Sequence, residues 1–266
     1  MNPSAPNAAQ ALWELVHEGP GQGFGPLSLS PKLQGIELRH ALDDQAADGS
    51  LGSVDRAGLR ALAQSDALGR FRPNKAAPNL VRGWRHQVAD AAALESALDD
   101  LLPGGLTDWH ALRTGSASPV AWQDFVDRQT GMYRHVASLD EPQAEQVARA
   151  GCHPKCCLRR RFWTIGARGP EAPAGKTIVP CLEPCALVLE LARREQKASV
   201  SEERSQLILN QGELTLLDQL FGRAIDAPDR ALREGDLSEP LNPRRVLLLR
   251  EKLLPWLPMR EWHPPA

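Results

Sequence analysis

Apolar residues recur at helical spacing in some stretches of this chain and alternate in others. In residues 8–18 (AAQALWELVHE), Leu12, Leu15 and Val16 share one helical face, and Gly19, Pro20, Gly21 and Gly23 stop the helix. FGPLSLSP and GIELRHAL follow, with alternation at Leu27/Leu29 and Ile36/Leu38, which predicts a strand pair. Asp55 is placed to cap a short helix over RAGLRALAQSD. GRFRPNKAAPNLVRGWR, rich in Pro, Gly and basic residues, reads as a loop or irregular extended piece. Val88 to Leu102 reads as an amphipathic helix ended by Pro103, Gly104 and Gly105.

Beyond a boundary near residues 103–118 the pattern is almost all helical. Pro119 is suited to the first turn of a helix through VAWQDFVDRQTGMYRHV, and Asp140 and Pro142 to the start of another over Glu141–Ala150. CCLRRRFW and PCALVLELARREQKA read as short helices split by the loop GARGPEAPAGK, and the tail as two or three helices ending in RRVLLLREKLLPWL. The expected class is α+β: a small N-terminal α+β domain (1–104), a mainly helical domain (105–200) and a helical C-terminal extension (201–266).

The 266 residues, 42% of them hydrophobic, suffice for a proper core without disulfides. With 31 basic against 33 acidic residues there is no global field of the kind a nucleic-acid binder uses. No apolar run approaches the roughly 20 residues of a membrane span, and MNPSAPNAAQ lacks a basic n-region and an h-region. The expectation is a soluble, cytoplasmic protein that binds neither nucleic acid nor membrane.

The cysteines change the picture most. All five lie between Cys152 and Cys185, as Cys152-x3-Cys156-Cys157 and Cys181-x3-Cys185. Two short-spaced groups joined by a loop deliver soft thiolates in pairs, which suits zinc or an iron–sulfur cluster. Structural zinc favours Cys-x2-Cys, which neither group has. A cluster is wider than an ion and tolerates x3 and x4 spacings, and Pro180 and Pro184 suit tight turns at a cofactor. A [4Fe–4S] cluster is therefore the expected cofactor, with a zinc-stabilised, non-enzymatic scaffold as one alternative. Lys155, Arg159, Arg160, Arg161 and Lys176 could offset the cluster's negative charge, although such a charge run is also how a solvated helix face reads. Phe162 and Trp163 could cover the cluster, and His153 is expected beyond the ligands or at the surface. Cys156 and Cys157 are neighbours whose side chains diverge, so only one of them is expected to ligate, and spacing does not choose between them.

Gly-x-Gly-x-x-Gly, Walker-type and Gly-x-Ser-x-Gly motifs are absent. Asp99, Asp100, Glu202 and Glu203 read as solubilising charge, and the sequence assigns no catalytic residue.

Asp127 to Arg134 (DRQTGMYR), then Cys152, Cys157-Leu-Arg-Arg, Trp163 and Cys181-x3-Cys185 resemble the iron–sulfur module of the sirohydrochlorin cobaltochelatase-like (CbiX-like) multidomain proteins of deinococci. Phe71-Arg-Pro73 and Ala77-Pro-Asn-Leu80 to Gly83-Trp84-Arg85 resemble the stabilising domain of the same family, so that the likeness spans roughly residues 8–195. The resemblance implies a [4Fe–4S] cluster held by Cys152, Cys157, Cys181 and Cys185, with Cys156 as the alternative to Cys157. It also implies an electron-transfer or redox accessory role in cobalamin metabolism, with a chelatase or redox protein as partner. No chelatase half is read here. There is no βαβ repeat, and His17, His40, His86, His110, His135 and His263 are scattered singly. Siderophore ferric reductases of the FhuF kind, which join adjacent cysteines to a later pair around a [2Fe–2S] cluster, are the other resemblance, carried by Cys156-Cys157-Leu158-Arg159.

Overall fold

The computed structural model describes residues 7–129, 131–167, 169, 177–201, 208–226 and 235–254, without the side chains of residues 132–135, 200 and 201. Lys176, Glu202, Glu203 and His263 lie outside the described residues, as does the side chain of His135.

Helix α1 (Ala8–Glu18) is capped by the Asn7 side chain, which accepts from the Gln10 N–H. The chain then folds into a sheet of β1 (Gln22–Phe24), β2 (Leu27–Lys32), β3 (Gly35–His40), β4 (Gly52–Ser53) and β5 (Trp84–Val88), in the order β1-β2-β3-β5-β4. Pairings are antiparallel except the short β4–β5 pair. Leu29 faces Leu38 and Ile36 faces Val88 across this register. Gly35 has φ +126°, and a Cβ there would stand 2.0 Å from the Val88 carbonyl oxygen, so only glycine fits the close approach of β3 to the end of β5.

The apolar residues of β2 and β3 meet α1 and the helices α2 (Arg56–Gln64), α3 (Ala91–Leu101) and α4 (Gly105–Arg113) in a first core around Leu12, Phe24, Leu38, Leu59 and Leu98. The alternate residues of β3 are also buried. Arg39 is ion-paired with Glu37, sits 2.7 Å from Asp48 and donates to the Ala46 carbonyl at 3.1 Å, so the 41–50 loop covers this face.

The second core gathers around α5 (Trp122–Asp127), α6 (Glu141–Gly151), α7 (Ala186–Ser201), α8 (Gln211–Asp226) and α9 (Pro243–Leu253). A capping box between Asp140 and Gln143 opens α6. The tail is continuous with this core, since Phe221, Ile225, Val246, Leu247 and Leu254 pack there with Val147 and Val188. The first core in turn takes in Leu106, Trp109 and Val179, all beyond residue 104.

Three expected helices differ. Val88 ends β5 opposite Ile36, and Asp90 caps α3 only afterwards, so Trp84 and Arg85 of the expected loop are strand residues. Pro119 does not open a helix. Val120 and Ala121 run extended beside Thr164, with the Trp122 N–H donating to the Thr164 carbonyl at 2.8 Å, and α5 begins after Ala121. CCLRRRFW is a turn followed by β6 (Arg160–Arg161), which pairs in parallel with β7 (Pro180–Cys181). Its backbone N–H groups find partners far away in sequence, at Ala76 for Leu158 and at Val179 for Arg160, and those bonds take the place of a helical ladder. No helix among the described residues is long and apolar enough to cross a membrane.

Candidate iron–sulfur centre

Cys152 is the C-cap of α6, its N–H bonded to the Ala148 carbonyl at 2.8 Å. A tight turn follows in which the Cys156 and Cys157 N–H groups both donate to the His153 carbonyl, at 2.7 and 2.9 Å. His153 itself is buried rather than exposed, and its Nδ1 accepts from the Lys155 N–H at 3.3 Å. The strand leaving the turn pairs Arg161 with Cys181, which brings the two cysteine groups side by side. Cys185 stands immediately before α7 and bonds its carbonyl to the Leu189 N–H at 3.0 Å, so the positive end of that helix dipole faces the same region.

The cysteines separate into two sets. Cys157, Cys181 and Cys185 line a cavity of about 600 Å³ in the cleft between the two cores. The first core supplies its other wall, through Asn74, Lys75, Ala76, Leu102, Pro103 and Asp108. Cys152 and Cys156 are buried in the second core and do not line this cavity. All five are thiols rather than disulfides. Part of Cys181 reaches solvent, but its sulfur is ringed by protein and donates to the Glu183 carbonyl at 3.1 Å. Burial pushes the Cys181 thiol up to about 12, helped by Cys185 and Cys157, while Arg159 and the Trp163 indole pull it down.

Of the cations expected to offset a cluster, Arg159 lines the cavity, anchored to Asp108 at 2.5 Å and to the Pro103 carbonyl at 2.9 Å. Arg161 is buried against Glu145, at 2.9 and 3.3 Å, and stacks over Trp163 at 5.2 Å, so it is no solvated helix residue. Lys155 pairs with Asp226. Lys75, from the segment read as a loop, also lines the cavity, with its Nζ donating to the Ala63 carbonyl at 2.6 Å. Trp163 is fully buried and packs on Trp122 with ring centroids 5.6 Å apart. Its indole N–H has no nitrogen or oxygen partner among the described residues.

These features fit an iron–sulfur cluster. Among the described residues no three His, Cys, Asp or Glu side chains gather tightly enough for a single metal ion. The three cavity thiols line one shared space instead, as a cofactor wider than one ion needs. A buried indole N–H beside Cys181 and the Arg159 cation on the wall are groups that accommodate negatively charged sulfur.

What sequence reading lacked was the opposite wall. Asn74 donates from its Nδ2 to the Cys156 carbonyl at 3.0 Å, and Ala76 receives the Leu158 N–H at 2.8 Å. The irregular segment carrying them is held by Arg72, which is fully buried and donates to Asn79 at 2.9 Å and to the carbonyls of Ala63, Ala77 and Lys75 at 3.2 to 3.4 Å. The sequence signals for this role were the Phe71-Arg-Pro73 and Ala77-Pro-Asn-Leu80 likenesses.

Comparison with known proteins agrees with this geometry. Residues 114–194 match the family described as a 4Fe-4S iron–sulfur cluster binding domain, and residues 9–113 match the DR2241 stabilising domain. Among solved structures, DR2241 from Deinococcus radiodurans is similar, with a TM-score of 0.57 and 30% identity over 72% of this chain. DR2241 is described as a multi-domain protein with structural similarity to chelatases and two additional novel domains, and the match covers 42% of its length. No curated protein matches the chain.

Proposed function

We propose, from the premise of a 4Fe-4S iron–sulfur cluster binding domain joined to a stabilising domain of the DR2241 kind, that this chain is an electron-transfer or redox accessory module for a chelatase-like or other redox partner. Cys157, Cys181, Cys185 and Cys152 are its proposed ligands. The observation that carries the reading is the convergence of three thiols on one cleft cavity walled by both cores. The family resemblance supplies Cys152 as the fourth, from the second core, against which Cys181 also packs.

The bound cluster supplies one-electron transfer. The protein's own residues set the conditions for it. Arg159 brings its guanidinium to the cavity wall and favours negatively charged sulfur at Cys181, offset in part by Asp108 on the same wall. Trp163 and Trp122 exclude water behind Cys181. Cys185, exposed at the rim, marks the side on which a partner can approach. The likeness of DR2241 to chelatases makes tetrapyrrole or cobalamin metabolism the proposed setting, while chelatase activity itself is not carried over to this chain.

Single Cys→Ser variants of anaerobically purified protein test the ligand set by absorbance and by EPR of the reduced state. Replacing Cys152, Cys157, Cys181 or Cys185 is expected to abolish or convert the cluster, and Cys156→Ser to retain it. Loss of the cluster in Cys156→Ser together with retention in Cys157→Ser would exchange those two roles. If Cys156→Ser and Cys157→Ser both lose it and the parent shows a [2Fe–2S] spectrum, the ferric-reductase reading replaces this one.

A further inference from the structure

Neither family match extends beyond residue 194, yet the C-terminal helices are built into the cysteine turn. Helix α9 packs along α6, the helix that delivers the turn. At the start of α9, Asn242 caps the helix by accepting from the Arg244 N–H at 3.0 Å, and both residues are buried. The Arg244 side chain then reaches 88 residues back along the chain. Its Nη2 donates to the Cys156 carbonyl at 2.8 Å, and its Nε lies 3.4 Å from the Gly151 carbonyl.

The same Cys156 carbonyl accepts from Asn74 Nδ2 at 3.0 Å, on the side of the first core. One peptide group, between Cys156 and Cys157, is thus bonded by the stabilising domain and by the tail together. Its N–H, on Cys157, is bonded to the His153 carbonyl at 2.9 Å. A peptide group is planar, so fixing its carbonyl and its N–H fixes its whole orientation. The next peptide is held as well, its Leu158 N–H bonded to the Ala76 carbonyl at 2.8 Å, so the two peptides flanking Cys157 together set its Cα–Cβ direction; Cys157 lines the cavity, while Cys156 stays in the second core.

We propose that Arg244 is a positioning residue of the cluster site, and that the C-terminal extension is a working part of the cluster-binding unit, with Asn74 as its counterpart across the cleft. The inference rests on the reading of Cys157 as a ligand. Groups that orient a metal ligand from behind typically change metal affinity by about 10- to 100-fold when removed. Arg244 also places a buried positive charge at the turn, which raises the reduction potential of an anionic cluster.

The test compares full-length holoprotein with Arg244→Gln, Asn74→Asp and Leu248→Ala. Asn74→Asp keeps the Oδ1 acceptor used by the Ala76 N–H but removes the donor to Cys156. Leu248→Ala truncates a buried side chain of the same helix that lines a groove with residues of α7 and α8, and so reports the loss of core packing. The readouts are the rate of iron release to a ferrous chelator, the midpoint potential and the EPR line shape. Arg244→Gln and Asn74→Asp are expected to speed release about tenfold or more. Arg244→Gln is also expected to lower the potential, with Leu248→Ala leaving potential and line shape at the parent's values. Release and potential in Arg244→Gln equal to those of Leu248→Ala would overturn the inference while leaving the cluster assignment standing. Should Arg244→Gln fail to fold, Asn74→Asp decides, and a parental release rate there overturns the inference. A parent that carries zinc and no labile sulfide removes the reading beneath it as well.

Discussion

Glu145→Leu is the most informative perturbation of the wall behind the cluster. Arg161 sits on β6 beside Cys181, stacks over Trp163, and is 8% exposed. Glu145, on α6, is 7% exposed and meets it at 2.9 and 3.3 Å. At an effective dielectric of about 20 that separation corresponds to an attraction of about 6 kcal/mol, set against the desolvation of both groups. Removing one partner leaves the other charge buried, at a typical cost of about 3–5 kcal/mol. Glu251 moderates this, because burial pushes its carboxyl above the usual range and the nearby Glu145 charge pushes in the same direction, so losing Glu145 relieves it. The lower half of the range is therefore expected, which for a chain of this size is a fall in Tm of roughly 6–16 °C. Thermal and urea unfolding of the holoprotein, followed by circular dichroism, measure it. The double variant Glu145→Leu/Arg161→Met removes both charges and is expected within about 1 kcal/mol of the parent. A single variant costing less than about 1 kcal/mol, or a double variant as damaged as the single, would refute the reasoning.

Two further outcomes follow from the first core. Burial holds His40 down to about 4 from an ordinary 6.5, so the unfolded chain binds the extra proton first. Its contribution, about 3 kcal/mol from that shift, is fully present above pH 6.5 and is lost as pH falls towards 4. His40→Gln should flatten urea-unfolding stability across that window, and an unchanged pH slope would contradict the assignment. Removal of the cluster by chelation should leave hydrogen-exchange protection in β2, β3 and β5 intact while β6 and β7 lose theirs, because the first sheet has its own core. Loss of protection in both places would mean that the two cores unfold as one.

Periodicity located the elements whose partners are close in sequence. α1, α2 and α6 lie where apolar spacing and the caps at Asp55 and Asp140 put them, and β2 and β3 pair as the alternation implies. It failed where distant backbone partners decide the conformation. Ala121 bridges to Thr164, and Arg160 bonds to Val179, so stretches with helical composition run extended. The cysteine clustering pointed to the cofactor, but not to which thiols share a space, because that depends on the parallel pairing of β6 with β7. The wall formed by Asn74, Lys75 and Ala76 was hidden in a segment without periodicity, whose shape is set by the buried Arg72. Arg244 could not be anticipated at all, since no local pattern links it to a turn 88 residues earlier.

The most direct test of the central claim is the iron and acid-labile sulfide content of the full chain purified without oxygen, read together with its EPR spectrum after reduction. A cluster of the 4Fe-4S type predicts about four iron atoms and about four sulfides per chain, and a spectrum that is lost or converted when Cys152, Cys157, Cys181 or Cys185 is replaced. Stoichiometric zinc with no labile sulfide in the same preparation would contradict it.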